Sequence, residues 1–262
     1  MVNGIIRSDG AAVAARLGRL LEPLGGSRLV LAGAGGALGI ALRAVIAAYN
    51  HAHSGRPIRL AAFDRLPAGG AGPAEWIVNL LPGLRAVWTM LDEARGGQVR
   101  GLLSLASPGG GEGWPPVEAL CATHWRLYRT PVAVLRPFGV YGPGQGGMPL
   151  VLPWDGAETA SFCYAAEAAE ACLVLLVMAE AHGQVFDLAG GDTVTPGQLV
   201  AAAALAGLPP PVVLGGGLRR QPEPARLIRL TGLRPRIGLA EGLARTRAAG
   251  LVGSPVGAVN RA

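Results

Sequence analysis

RLVLAGAGGALG, residues 28–39, sets an apolar run directly against a cluster of glycines. The run RLVLAG (28–33) is too short for a helix and reads as a buried strand, whereas GALGIALRAVIAAYN (36–50) carries helical periodicity. A second strand, IRLAAFD (58–64), ends on a carboxylate. Strand, glycine turn, helix and strand predict a βαβ unit paired in parallel through a right-handed crossover. In such a unit Gly33 permits the tight turn, Gly36 lets backbone N–H groups approach a diphosphate, and Gly39 lets the helix pack on the sheet. Asp64 would accept hydrogen bonds from an adenosine ribose and repel a 2′-phosphate, favouring NAD. Arg65 beside it could accommodate that phosphate and leaves NADP open. The competing reading is a tight turn that binds nothing.

Outward from this unit, the chain alternates strands and helices. Residues 11–24 place Val13, Leu17, Leu20, Leu21 and Leu24 on one helical face, with Asp9 as a candidate cap. Residues 76–94 bring Leu80, Leu84, Val87, Trp88 and Leu91 together at helical spacing. Strand VRGLLSLAS (99–107) precedes a glycine-rich loop at 108–116 and an amphipathic helix at 117–129. His124 and Tyr128 fall on that helix's apolar face, where His124 is expected to be a core residue. Strand PVAVLRP (131–137), a helix near 165–180, strand GQVFDLA (183–189) and a helix opened by a Thr195–Gln198 capping box follow. Two short Arg-bearing helices come last. The expected class is α/β, a Rossmann-type doubly wound parallel sheet with a small C-terminal remnant of a substrate domain. The boundary is placed at 1–140 for the dinucleotide-binding part and 141–262 for the smaller part, interleaved with the last sheet strands.

Composition fits this picture and removes several chemistries. The 262 residues are 50% hydrophobic and 15% charged, which supports a sizeable core and excludes wholesale disorder. All 23 basic residues are Arg, so no step can use a lysine amine. Cys121, Cys163 and Cys172 have no paired spacing and no nearby His cluster, and no metal site is expected; His51 and His53 read as a solvated turn. The longest uncharged stretch, Leu199 to Leu218, is broken by Pro209–Pro211 and three glycines, against a membrane span. With no leader pattern at the start, the expected location is cytoplasmic. From Arg219 onward nine Arg face two Glu, a balance of +7 within a total of +6. The tail lacks interleaved aromatics, so a solvated helical face is preferred to a nucleic-acid surface.

Further stretches carry a family resemblance. Gly33-x-x-Gly36-x-x-Gly39 has the spacing of short-chain dehydrogenases. Asn79 with Gly83, Leu84 and Leu91 resembles the N-x-x-x-G-L helix of their extended subclass, and RPFGVYGPGQ (136–145) resembles its RPFNVYGPGQ loop. GAETASFCYAAE (156–167) and GLRPRIGLAEGLART (232–246) resemble its G-x-x-x-R-x-F-x-Y-V-x-D segment and its C-terminal element. The chain is thus similar to NAD-dependent epimerase/dehydratases of nucleotide sugars, nearest the dTDP-glucose 4,6-dehydratase and UDP-glucuronate decarboxylase branch, but shortened. The resemblance implies NAD in the Rossmann part and a nucleotide sugar, or another small molecule, near Arg136 and Tyr141. For Tyr141, packing in a glycine-rich turn is the stronger alternative.

The same resemblance exposes departures. The family's Tyr and Lys fall on Gly110 and Trp114, leaving Ser107 as the one candidate catalytic residue of the usual set. Its sugar-loop Asn is Gly139, its Arg is Ala160 and its Asp is Glu167. Only 14 residues separate Asp64 from Asn79, so one strand is cut away or merged into PAEWIV. Glu112, Glu118 and Cys121 are the available acid, base or nucleophile substitutes, each more readily a solvated or helix-face residue. The expectation is a protein related to nucleotide-sugar modification without the Tyr/Lys acid–base pair, or a non-catalytic partner of an active homologue. The helices at 82–94 and 117–129 would serve a homodimer or a heteromer.

Overall fold

The computed structural model describes residues 4–65, 67, 70, 72–106, 114–144, 151–153, 159–191, 193–214 and 222–250. Strands β1 (Arg28–Ala32), β2 (Arg59–Phe63), β3 (Trp76–Asn79), β4 (Gly101–Leu105) and β5 (Val132–Pro137) form most of one sheet. After the short strands β6 (Val140–Tyr141), β7 (Val151–Pro153), β8 (Ala160–Ser161) and β9 (Cys163–Tyr164), strand β10 (Val185–Leu188) completes it. The spatial order is β10-β5-β4-β3-β1-β2, with every neighbour parallel. This is the doubly wound α/β sheet expected. Outside it, β6 pairs with β9, β8 with β11 (Thr193–Val194), and β7 with β12 (Val212–Leu214).

Period-two alternation builds a core on each face. In β1, Leu29 and Leu31 enter one core while Val30 and Ala32 enter the other; in β5, Ala133 and Leu135 oppose Val132 and Val134. The first core is shared with α1 (Gly4–Leu17), α2 (Ala37–Ala52) and α5 (Ala165–Val177), the second with α3 (Leu84–Arg95) and α4 (Trp114–Tyr128). Helices α6 (Pro196–Leu205), α7 (Ala225–Thr231) and α8 (Leu239–Ala248) complete the chain. The Thr195–Gln198 capping box opens α6. No helix among the described residues is long and apolar enough to cross a membrane.

Several expectations are corrected. Asp9 is no cap: α1 begins five residues earlier, and Asp9 is a buried mid-helix residue. Its carboxylate accepts hydrogen bonds from the Tyr164 hydroxyl (2.6 Å) and the Arg245 guanidinium (2.6 Å). Asn79 does not belong to a helix. Residues 76–79 are a central strand, because Pro82 and Gly83 delay the helix until Leu84. Trp88 is 55% exposed and Tyr128 49%, so neither is core. Helix α4 starts at Trp114, inside the expected loop. No strand stands between β2 and β3 among the described residues, so the sheet ends at β2.

Helix α5 is buried nearly all round, carboxylates included. Glu170 pairs with Arg16 (2.8 Å) and with Arg236. Glu167 accepts the backbone N–H groups of Arg236 (2.6 Å) and Ile237 (3.2 Å); burial still raises its pKa above the ordinary carboxylate value. Asp9→Ala should therefore cost about 2–4 kcal/mol, since it leaves the Tyr164 hydroxyl unpaired and breaks the link to Arg245. Tyr164→Phe should cost about 1 kcal/mol. The shift in urea midpoint measures both.

Candidate functional site

The strand order changes direction at β1, which has β2 on one side and β3 on the other. The crevice beyond the carboxyl ends of β1 and β3 is where doubly wound sheets bind ligands. Gly33 closes β1 there with φ +85°, its N–H donating to the Phe63 carbonyl at 2.8 Å. A side chain at this position would also press on Leu80, whose nearest atom lies 3.0 Å from the Cβ site. Gly39 has a different task. A Cβ on it would sit 2.5 Å from the Ala34 carbonyl group, so only glycine allows α2 to start this close to the turn.

Gly36 lies between them as the N-cap of α2, and no side chain caps the helix. A Cβ at Gly36 would meet nothing within 4 Å. Gly36 is exposed, whereas Ala37 and Leu38 in the first turn of α2 are buried, and the positive end of the helix dipole lies behind the turn. An anion would complement that dipole. Asp64, at the end of β2, lies against the same turn, its Oδ1 2.9 Å from the Cβ site of Gly35. Asp64 and Arg65 line a cavity of about 480 Å³ with Leu81, Pro82, Arg85 and Thr89. The structure therefore brings Gly33, Gly36, Gly39, Asp64 and Arg65 to one end of the sheet. Arg85 and the 81–82 wall were hidden in the sequence by the continuous helical spacing of 76–94; the Pro82-Gly83 pair was the available signal.

The substrate-side residues are placed elsewhere. Arg136 is enclosed by Glu118 and Asp187, the latter at 3.1 Å, and Asp187 also accepts the N–H of Glu223 at 2.9 Å. Its guanidinium ties β5, α4, β10 and the 222–224 segment together, and the paired acids hold its pKa up. Tyr141 is fully buried, its ring edge-on to Tyr164 and its hydroxyl close to the Leu239 carbonyl at 3.5 Å. It packs against Gly242 of α8, where a Cβ would collide with the hydroxyl. Tyr141 is thus packed inside the fold between Tyr164 and α8.

Gly139 adopts φ +56°, and a Cβ there would lie 2.5 Å from the Ser161 carbonyl oxygen. An Asn cannot be accommodated in this arrangement. Ser107, Gly110 and Glu112 lie outside the described residues, as does the side chain of Trp114. Glu118 is committed to Arg136. Burial pushes the Cys121 and Cys172 thiols up to about 12, and Cys163 is also raised. His124 is buried between Trp88 and Tyr128, and burial lowers its pKa. Its Nδ1 has no hydrogen-bond partner. Among the described residues no group of His, Cys, Asp and Glu could hold a metal ion.

Solved structures share this fold. The epimerase Mth375 from Methanothermobacter thermautotrophicus superposes with a TM-score of 0.67 at 16% identity, covering 89% of this chain and 95% of its own. A dTDP-glucose 4,6-dehydratase from Bacillus anthracis, in complex with NAD, gives 0.66 at 15% identity, covering 85% and 96%. A UDP-glucuronic acid 4-epimerase from Bacillus cereus, in complex with UDP-glucuronic acid and NAD, gives 0.62 at 15%, covering 85% and 98%. No family model and no curated protein matches the chain. The class defined is the fold shared by these epimerases and dehydratases.

All three cysteines are buried and free. A disulfide-exchange reagent at about pH 8 should leave them unlabelled in the folded protein and label all three after denaturation. Rapid labelling of Cys121 in the native state would restore it as a nucleophile.

Proposed function

We propose that this protein binds a nicotinamide dinucleotide across the glycine turn and is related in function to nucleotide-sugar epimerases and dehydratases. The supporting observation is the uncapped N-terminus of α2 under an open Gly36, with Asp64 beside it. The diphosphate would lie on the α2 N–H groups, and Asp64 would accept from the adenosine ribose. Gly33 and Gly39 hold the turn in shape, and Arg65 stands at the adenosine end. Several solved neighbours that share the fold are described in complex with NAD, NADH or UDP-glucuronic acid, which agrees with this reading. When bound, the cofactor supplies reversible hydride transfer.

The proton side of such chemistry has no ordinary carrier here. The chain contains no Lys, and Gly110 and Trp114 occupy the positions that resemblance gives to the family's Tyr and Lys. Ser107 is the one hydroxyl of the usual set that the sequence retains. A second reading, a non-catalytic subunit or scaffold for an active homologue, draws support from Arg136, whose guanidinium is held by Glu118 and Asp187 instead of standing free for a substrate anion.

Titration calorimetry tests the core of this. NADH should bind the native protein, and Gly36→Val should abolish the heat while leaving the melting temperature within about 2 °C, because a side chain there meets only open space. No heat from the native protein at millimolar dinucleotide would overturn the reading. Pairing with a second copy or a homologue is proposed through α3 and α4, which expose Trp88, Leu127 and Tyr128. Trp88→Asp should shift the mass seen by light scattering to that of one chain.

A further inference from the structure

The cavity at the end of β2 holds more positive charge than an unmodified adenosine needs. Its lining residues include one carboxylate, Asp64, and two guanidiniums, Arg65 and Arg85. Neither arginine takes part in an ion pair with an acid among the described residues, whereas Arg16, Arg136, Arg236 and Arg245 all do. The Asp64 carboxylate is turned onto the glycine turn, with Oδ1 and Oδ2 2.9 and 3.3 Å from the Cβ site of Gly35. Arg85 comes from a separate element, the first turn of α3, together with the apolar surface of Leu81, Pro82 and Ala86. A planar base fits the apolar wall. The diphosphate of a dinucleotide is already provided for by the α2 N-terminus, so the two guanidiniums are left without an anion.

We infer that Arg65 and Arg85 form a clamp for a phosphate ester on the adenosine ribose, so that the preferred dinucleotide carries a 2′-phosphate. This rests on the dinucleotide reading above and names the form of the ligand. Such an ester carries about −1.5 to −2 charges near neutral pH, and guanidiniums bind it by short, charge-assisted hydrogen bonds. Asp64 on the turn accepts from the remaining ribose hydroxyl, which moderates the preference without reversing it.

The test is calorimetry on the full chain with NADPH, NADH, 2′,5′-ADP and 5′-AMP. NADPH should bind at least about tenfold tighter than NADH, and 2′,5′-ADP should exceed 5′-AMP by a similar factor. The double variant Arg65→Ala/Arg85→Ala should erase both ratios, its fold checked by an unchanged melting temperature. NADH binding as tightly as NADPH, or a ratio that survives in the double variant, would overturn the clamp while leaving the dinucleotide reading intact. Failure of all four ligands to bind would overturn both.

Discussion

The absent side chain of Gly39 is the constraint on which the site depends. Helix α2 packs so close to the Ala34 carbonyl that a single added methyl would meet backbone, which cannot yield as a flexible side chain can. This contact fixes where the helix starts, and therefore where its unsatisfied N–H groups point. The switch in strand order at β1 sets that helix start at the carboxyl end of the sheet, where doubly wound sheets bind ligands. A local steric rule and a sheet topology converge on one place.

A second set of interactions holds the C-terminal part against this frame. Glu167 and Glu170 are buried in α5 and would be costly if unpaired, yet Arg16 from α1 and Arg236 from the 232–238 segment reach them from opposite ends of the sequence. Asp9 makes the same kind of bridge, from α1 to Tyr164 and α8. The attachment is polar and directional, so it specifies one orientation of these segments where apolar packing alone would allow sliding.

The sheet and its helices were legible wherever burial is periodic. β1, β4 and β5 are apolar on both faces, and the turn after β1 announces itself by glycine spacing. The spacing also announced which residues the structure gathers around that turn, Gly33, Gly36, Gly39 and Asp64. What failed was sidedness. Trp88 keeps helical spacing with core residues but projects outward, and Asp9 mimics a cap although its partners lie 155 and 236 positions away. Asn79 reads as helical because Leu80, Leu84 and Leu91 continue its rhythm across a proline-glycine break, yet it ends strand β3. Arg136 and Tyr141 stand out within the RPFGVYGPGQ stretch, but no local pattern shows that Glu118, Asp187 or Gly242 would enclose them.

The place of β2 at the edge of the sheet has a consequence for the chain in a crowded solution. An outermost strand offers a template for foreign backbones, and natural sheets blunt that hazard by keeping such strands short and charged. β2 is five residues long, with Arg59 at its start and Asp64 just past its end. Those two charges serve as gatekeepers against runaway stacking, a protective duty that Asp64 carries in addition to its place beside the glycine turn.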